Sequence, residues 1–257
     1  MLSMTRLLSP FRALWSASRR TVTAGLDELF PSHVEHELEA ARESAWQIDS
    51  SNSYCHRCGA STGSGEVTVR GCSRCSGMKL AWDHLVRLSL YKPPVSSWIV
   101  AMKFHRQWPW APWLGRALAA QVNMQANAQA SDRKPIVCAV PSPRVRQWRR
   151  GFSHTHLMAQ AFAGALNWRV VNLLHRRGWQ QPQTRVLAAH RALNVRDAFR
   201  VDEVDLTGCE VWLIDDVKTT GATLSACAKL LRQAGAAKIN VAVAAAADPD
   251  HADFKLK

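Results

Sequence analysis

The sequence predicts an α/β protein, a parallel sheet flanked by helices, with a small cysteine-ligated module ahead of it. Three observations carry that expectation. Residues 211–214 (VWLI) and 239–247 (INVAVAAAA) are apolar runs without polar alternation, as in strands covered on both faces. Between them Leu224, Cys227, Ala228 and Leu231 share one helical face, and Gly235 stands where a helix C′ glycine belongs, so the segment reads as a βαβ unit. Upstream, Cys55, Cys58, Cys72 and Cys75 form two Cys-x-x-Cys pairs.

At 257 residues the chain can bury a full core. No run of 18 apolar residues appears, which excludes a membrane-spanning helix. Lys and Arg total 33 against 20 Asp and Glu, a formal charge of +13, which favours polyanionic partners such as nucleic acid, phosphorylated small molecules or an acidic membrane surface. Seven cysteines, an odd number, argue for metal in a reducing compartment over a secreted disulfide framework, so the expected location is the cytoplasm. Arg6, Arg12, Arg19 and Arg20 near the start accompany no h-region or cleavage site of the secretory kind. Residues 1–50 therefore read as a variable N-terminal extension, with a transit-like or membrane-surface segment as the alternative.

Within that extension, residues 34–46 form a polar helical pattern that stops at the turn formers of 49–53. Four thiolates with tight glycine turns around them, Gly59, Gly63, Gly65, Gly71 and Gly77, describe a closed tetrahedral zinc ribbon over residues 51–80. A redox dithiol is the alternative. Such a ribbon is structural by default, and Arg57, Arg70, Arg74 and Lys79 make it a candidate DNA or protein contact. Helices are expected over 98–108 and 114–124, a buried strand over 136–143, a helix over 153–166 with Leu157, Met158, Ala161, Phe162 and Ala165 on one face, a strand over 169–175 and a polar loop over 176–194. The last unit is strand 211–214, helix 223–234 and strand 238–246. Cys138, Cys209 and Cys227 read as buried small hydrophobes, and Trp108, Trp110 and Trp113 as packing under a loop. His154 and His156 do not share a helical face and suggest no metal.

Asp215 and Asp216 lie at the carboxyl end of the 211–214 strand, where open α/β sheets bind ligands. Adjacent carboxylates repel and need cationic or donor partners; ribose hydroxyls and magnesium suit them. Thr219, Thr220, Gly221, Ala222 and Thr223 then enter a helix N-terminus, whose free N–H groups and dipole attract phosphate. Acids for a diol beside amides for a phosphate describe a 5-phosphoribosyl group, and no Walker loop is present.

The segment LIDDVKTTGAT resembles the ribose-phosphate motif of type I phosphoribosyltransferases. VPSPRVRQWRRGFSHTHLMA (140–159), LLHRRGWQQPQTRVLAAHRALNVRDAF (173–199) and the paired Cys-x-x-Cys are similar to the competence protein ComF family, which includes the GntX-type DNA-utilisation proteins. The chain departs from that family at Gly151-Phe152-Ser153-His154-Thr155, where Gly-Phe-Asn-Gln-Ala is usual. The resemblance implies a phosphoribosyltransferase-like domain over 81–250, with a tail at 251–257. It also implies binding of phosphoribosyl diphosphate with magnesium, and glycosyl transfer to a nitrogen acceptor. Asp215, Asp216 and Arg191 are then the candidate catalytic residues. Lys218, Thr219, Thr220, Gly221, Ala222, Thr223, Ser142 and Arg144 join the two acids in binding the donor, Arg144 on the diphosphate and Arg191 with Asn194 on a lid. A solvated loop charge and a turn Asn are the alternative for that last pair.

Arg144, Arg146, Arg149 and Arg150 surround Trp148, a cluster suited to diphosphate or to single-stranded DNA, or else a solvated face. Rival readings of the whole are a non-enzymatic ligand-sensing or single-stranded DNA-binding module, or a transcriptional regulator. The family also implies competence or DNA-processing partners. Homo-oligomerisation is left open by the sequence.

Overall fold

The computed structural model describes residues 33–63, 65–125, 134–142, 152–177 and 198–247. The chain divides into two units, Met1–Gln47 and Ile48–Lys257. In the first, α1 (His33–Glu43) carries Glu35 in its opening turn and Arg42 in its last, the polarity the helix dipole favours, and buries Val34 and Ala41.

The second unit holds a parallel five-stranded sheet: β1 (His84–Leu90), β2 (Ile136–Ala139), β3 (Arg169–Val170), β6 (Glu210–Lys218) and β7 (Lys238–Ala246), in the order β1-β7-β6-β2-β3. A separate antiparallel pair is formed by β4 (Leu174–Arg176) and β5 (Phe199–Val201). Helices α2 (Val95–Phe104), α3 (Trp110–Gln125) and α4 (His154–Leu166) precede β3, and α5 (Ala222–Gln233) joins β6 to β7. The parallel sheet flanked by helices expected from the sequence is therefore present. In β7 every residue after Lys238 is buried, which is why its sequence shows no alternation.

Strand β6 separates two layers. Its odd-numbered Val211 and Leu213 join Cys138, Val241, Val243, Leu224, Cys227 and Leu231 in one core cluster under α5. Its even-numbered Trp212 faces Phe162 of α4, with ring centroids 5.7 Å apart. On that side α3 and α4 meet at Gly115, where an added Cβ would collide with the Met158 carbonyl; only a glycine lets the helices approach so closely.

Several boundaries differ from expectation. The strand expected at 211–214 runs to Lys218, because its ladder with β7 continues through Asp215↔Val243 to Lys218↔Ala246. The run 169–175 splits into β3 and β4, and the 136–143 strand ends at Ala139. Strand β1 was unexpected: its central Arg87 is buried, with its guanidinium on Asp49 (2.8 Å), the Gly59 carbonyl (2.5 Å) and Ser61 Oγ (3.0 Å), and its carbon 4.9 Å from the Tyr54 ring centroid. The outer edge of β1 is met by the cysteine-rich segment and the residues just before it: Leu85 N–H donates to His56 O (2.6 Å), and Asp49 N–H to Leu88 O (2.8 Å). Among the tryptophans, Trp108 is exposed at 49%, and its expected place is taken by Trp98, stacked on Trp110 at 4.4 Å with Trp113 edge-on to both. Cys138 and Cys227 are buried, and burial pushes the Cys138 thiol up to about 12. Cys209 is only half-buried: it sits in the turn before β6 and packs against the edge of the core cluster.

Candidate functional site

The sheet's switch point lies between β2 and β6: β2 leads outward to β3 on one side, β6 to β7 on the other. Ligands bind outside the carboxyl ends of such strands, and the acid pair lies there. Because β6 continues past the pair, strand alternation sends the two carboxylates to opposite faces of the sheet.

Asp216 is 5% exposed and points toward α2 and α4. Lys103 Nζ of α2 donates to its Oδ1 at 2.8 Å. On the other oxygen, His154 Nε2 at the start of α4 approaches Oδ2 at 2.5 Å, an ion pair when the imidazole is protonated. Burial pushes the Asp216 carboxyl upward, but the charges and hydrogen bonds of Lys103 and His154 outweigh it and hold the pKa well below the ordinary carboxylate value.

Asp215 is half-buried on the α5 side, its Oδ1 accepting the Asp216 N–H at 2.9 Å. Its pKa moves the opposite way, raised first by burial and then by the neighbouring Asp216 charge. A bound cation or a diol offering two hydroxyls would relieve that cost.

Beyond Lys218 the chain turns through Thr219 and Thr220 to Gly221, which is buried and left-handed (φ 78°) and forms the N-cap of α5. Thr220 Oγ1 accepts the Ala222 N–H at 3.3 Å, and Ala222 and Thr223 open the helix half-exposed. The amides of this turn lie at the positive end of the helix dipole, an arrangement suited to an anion. Lys218 Nζ lies back on the loop, donating to Thr219 O at 3.4 Å.

Ser142 lies in the turn after β2 and lines an open cavity of about 310 Å³ with Pro141, Ser153, His156, His175 and Arg176. Its wall residue Val140 donates N–H to Ile214 O at 2.9 Å, one residue before the acid pair in β6. At its rim His175 Nε2 meets Asp202 Oδ2 at 2.9 Å. Arg144, Arg146, Trp148, Arg149, Arg150, Arg191 and Asn194 lie outside the described residues.

The four cysteines meet in one cluster. Their sulfurs all lie within 4.8 Å of one another, with Cys55–Cys75 and Cys58–Cys72 at 3.6 Å and Cys72–Cys75 at 3.9 Å. Zinc bonded tetrahedrally at ~2.3 Å demands sulfur separations of about 3.8 Å, so the donor set and its spacing fit a metal such as zinc. Burial opposes the Cys55 thiolate, but N–H groups of Cys58, Arg57 and Cys72 bring its pKa down to about 7.

Sequence reasoning missed Lys103, Trp82 and the role of His154. Lys103 had a signal, being the single charged residue in the apolar helix VSSWIVAMKF. His154 had one too, in the departure at 153–155. Trp82 had none.

Comparison with known proteins places the chain. No family model matches it. A DNA utilization protein YhgH of Salmonella typhi is 32% identical over 191 residues, spanning 74% of this chain and 82% of that protein. Competence protein F of Haemophilus influenzae is 30% identical over 195 residues, spanning 73% and 82%. Among solved structures, a purine phosphoribosyltransferase from Pyrococcus horikoshii aligns at TM-score 0.34 and 16% identity over 63% of this chain and 78% of that one. Glutamine phosphoribosylpyrophosphate amidotransferase from B. subtilis aligns at 0.35 and 20% over 52% of this chain and 25% of its own. Family membership rests on the sequence relatives: the chain belongs to the family of competence protein F and DNA utilization protein YhgH.

Proposed function

We propose that the protein binds phosphoribosyl diphosphate with magnesium at the carboxyl end of β6 and transfers the phosphoribosyl group to a nitrogen acceptor. The observation that carries this reading is the joining of an acid-bearing strand end to a Thr-Thr-Gly-Ala-Thr turn at a helix N-terminus. A diol and a 5-phosphate are the two groups such a pair of sites would hold together.

In this reading the amides and hydroxyls of Thr219, Thr220, Gly221, Ala222 and Thr223 take the 5-phosphate, with Lys218 beside them. Asp215 takes the ribose hydroxyls. Asp216 supports the same acid pair from the opposite face, anchored by Lys103 and His154. Ser142, with Arg144 and Arg191, takes the diphosphate. Asp215 and the threonine hydroxyls are hard oxygen donors, which suit magnesium, and the ion would supply charge neutralisation on the departing diphosphate. The C1–O bond to diphosphate breaks as the nitrogen lone pair attacks C1, and the nitrogen's proton leaves to solvent or to a base. The residues hold the ring, and a carboxylate beside it favours positive charge on the sugar.

The corresponding domains are 51–80 for the zinc ribbon and 81–250 for the phosphoribosyltransferase-like domain, in a cytoplasmic protein. No described helix is long and apolar enough to cross a membrane. A second reading, a ligand-sensing module that binds single-stranded DNA alongside competence proteins, is favoured by the +13 charge and by the relatives' names.

Calorimetry with phosphoribosyl diphosphate and magnesium tests the site: wild type binds and Asp215→Asn does not, whereas equal affinity in both would sink the assignment. Release of pyrophosphate on adding candidate nitrogen acceptors separates enzyme from sensor. A DNA-binding role predicts affinity for single strands that falls steeply with salt.

A further inference from the structure

The cysteine cluster and the threonine loop, far apart in sequence, are joined by one side chain. Trp82 is 5% exposed, and its indole N–H donates to the Arg57 carbonyl at 2.8 Å, inside the Cys55–Cys58 knuckle. The far edge of the same ring covers Gly221: a Cβ there would stand 2.9 Å from Trp82 Cη2 and 3.5 Å from Lys218 Cε. The indole thus spans from a metal-ligand knuckle to the left-handed turn that begins α5.

Arg57 strengthens the link. The Arg57 guanidinium ties its own knuckle to the second, donating to Arg70 O, to Cys75 O at 3.3 Å and to Met78 O at 3.3 Å. Lys218 Cε lies on the same glycine, 3.5 Å from where a Gly221 Cβ would stand. A metal drawing the four sulfurs together would fix the geometry of the Cys55–Cys58 knuckle, which carries the Arg57 carbonyl.

We propose that the metal-loaded cysteine cluster braces the threonine loop through Trp82, so that Trp82 is a positioning residue for the phosphate cradle and metal occupancy tunes its grip. The brace holds Gly221 in its turn and keeps the first amides of α5 aimed outward. What the loop grips rests on the proposed function; the brace itself does not.

The test uses the full chain in four forms: metal-loaded wild type, chelated wild type, and metal-loaded Trp82→Ala and Trp82→Phe, with metal content measured in each. Amide hydrogen exchange over residues 218–224 is expected to accelerate at least tenfold in the chelated protein and in Trp82→Ala, local opening being the process exchange reports, while β7 stays protected. Trp82→Phe, which keeps an aromatic body beside the knuckle but loses both the N–H and the outer ring edge that meets Gly221, should fall between. Calorimetry with phosphoribosyl diphosphate and magnesium should show roughly tenfold weaker binding in Trp82→Ala, about 1.4 kcal/mol. Exchange within twofold of wild type in metal-loaded Trp82→Ala overturns the brace, as does acceleration spread equally over β7. Wild type that fails to bind the donor sinks the proposed function and leaves the exchange result to decide the brace. If chelation or Trp82→Ala unfolds the chain, metal-loaded Trp82→Phe decides alone, and unchanged exchange there overturns the proposal.

Discussion

The two sides of β6 treat adjacent carboxylates in opposite ways. On the α2 and α4 side, Asp216 is buried, clamped by Lys103 and His154, and ionised. On the α5 side, Asp215 is half-buried beside a helix N-terminus, and burial together with the Asp216 charge favours its protonated form. One residue's step along a strand thus separates an anchored carboxylate from one whose charge Lys103 offsets only in part.

Asp216→Asn breaks the anchor and has the largest expected effect. It strands Lys103 and His154 against a neutral group, and denaturant unfolding should show a loss of about 3 kcal/mol at neutral pH, the low end for a buried pair because Lys103 is partly exposed. Lys103→Met should cost somewhat less for the same reason. Asp215→Asn sharpens the contrast with the opposite sign: the thermal midpoint should rise or hold at neutral pH, a gain within about 1 kcal/mol, while donor binding is lost.

The pH dependence separates the two acids without comparing absolute stabilities. The depressed Asp216 pKa contributes stability that is present above the unfolded value of 3.8 and is lost as pH falls through the folded value. The raised Asp215 pKa works in reverse, its contribution being complete below 3.8 and lost as pH rises through the folded value. Urea titrations from acid to neutral pH should find the acid limb flattened in Asp216→Asn, and stability falling less with rising pH in Asp215→Asn. The smallest effect belongs to His154→Gln, which keeps a donor for Asp216; a loss beyond about 1 kcal/mol would mean that the imidazole does more than donate a hydrogen bond.

How much of this was legible in the sequence follows from what each feature depends on. The helix α5 and strand β7 show plainly, because their burial follows from periods of 3.6 and from coverage on both faces. The cysteine cluster shows too, since thiolate spacing is a local property. The opposed directions of Asp215 and Asp216 do not show, because the length of β6 is fixed by its pairing with β7, a non-local fact. Strand β1 was hidden by Arg87, which reads as a surface charge until Asp49, the Gly59 carbonyl and Ser61 are brought around it. The Lys103–Asp216 contact joins residues far apart in the chain, and only the folded helix α2 brings them together.

The backbone of the cysteine-rich segment against β1 has a consequence for solubility. Edge strands with open N–H and C=O groups invite another chain to add itself to the sheet. Here that edge is partly occupied, with His56 O and the Asp49 N–H already bonded to Leu85 and Leu88. These bonds leave less of the edge open to another chain, and the segment's knuckles bring four sulfurs within 4.8 Å of one another. Where the cluster is metal-loaded, chelation should uncover the edge, and light scattering should detect aggregates that grow with protein concentration.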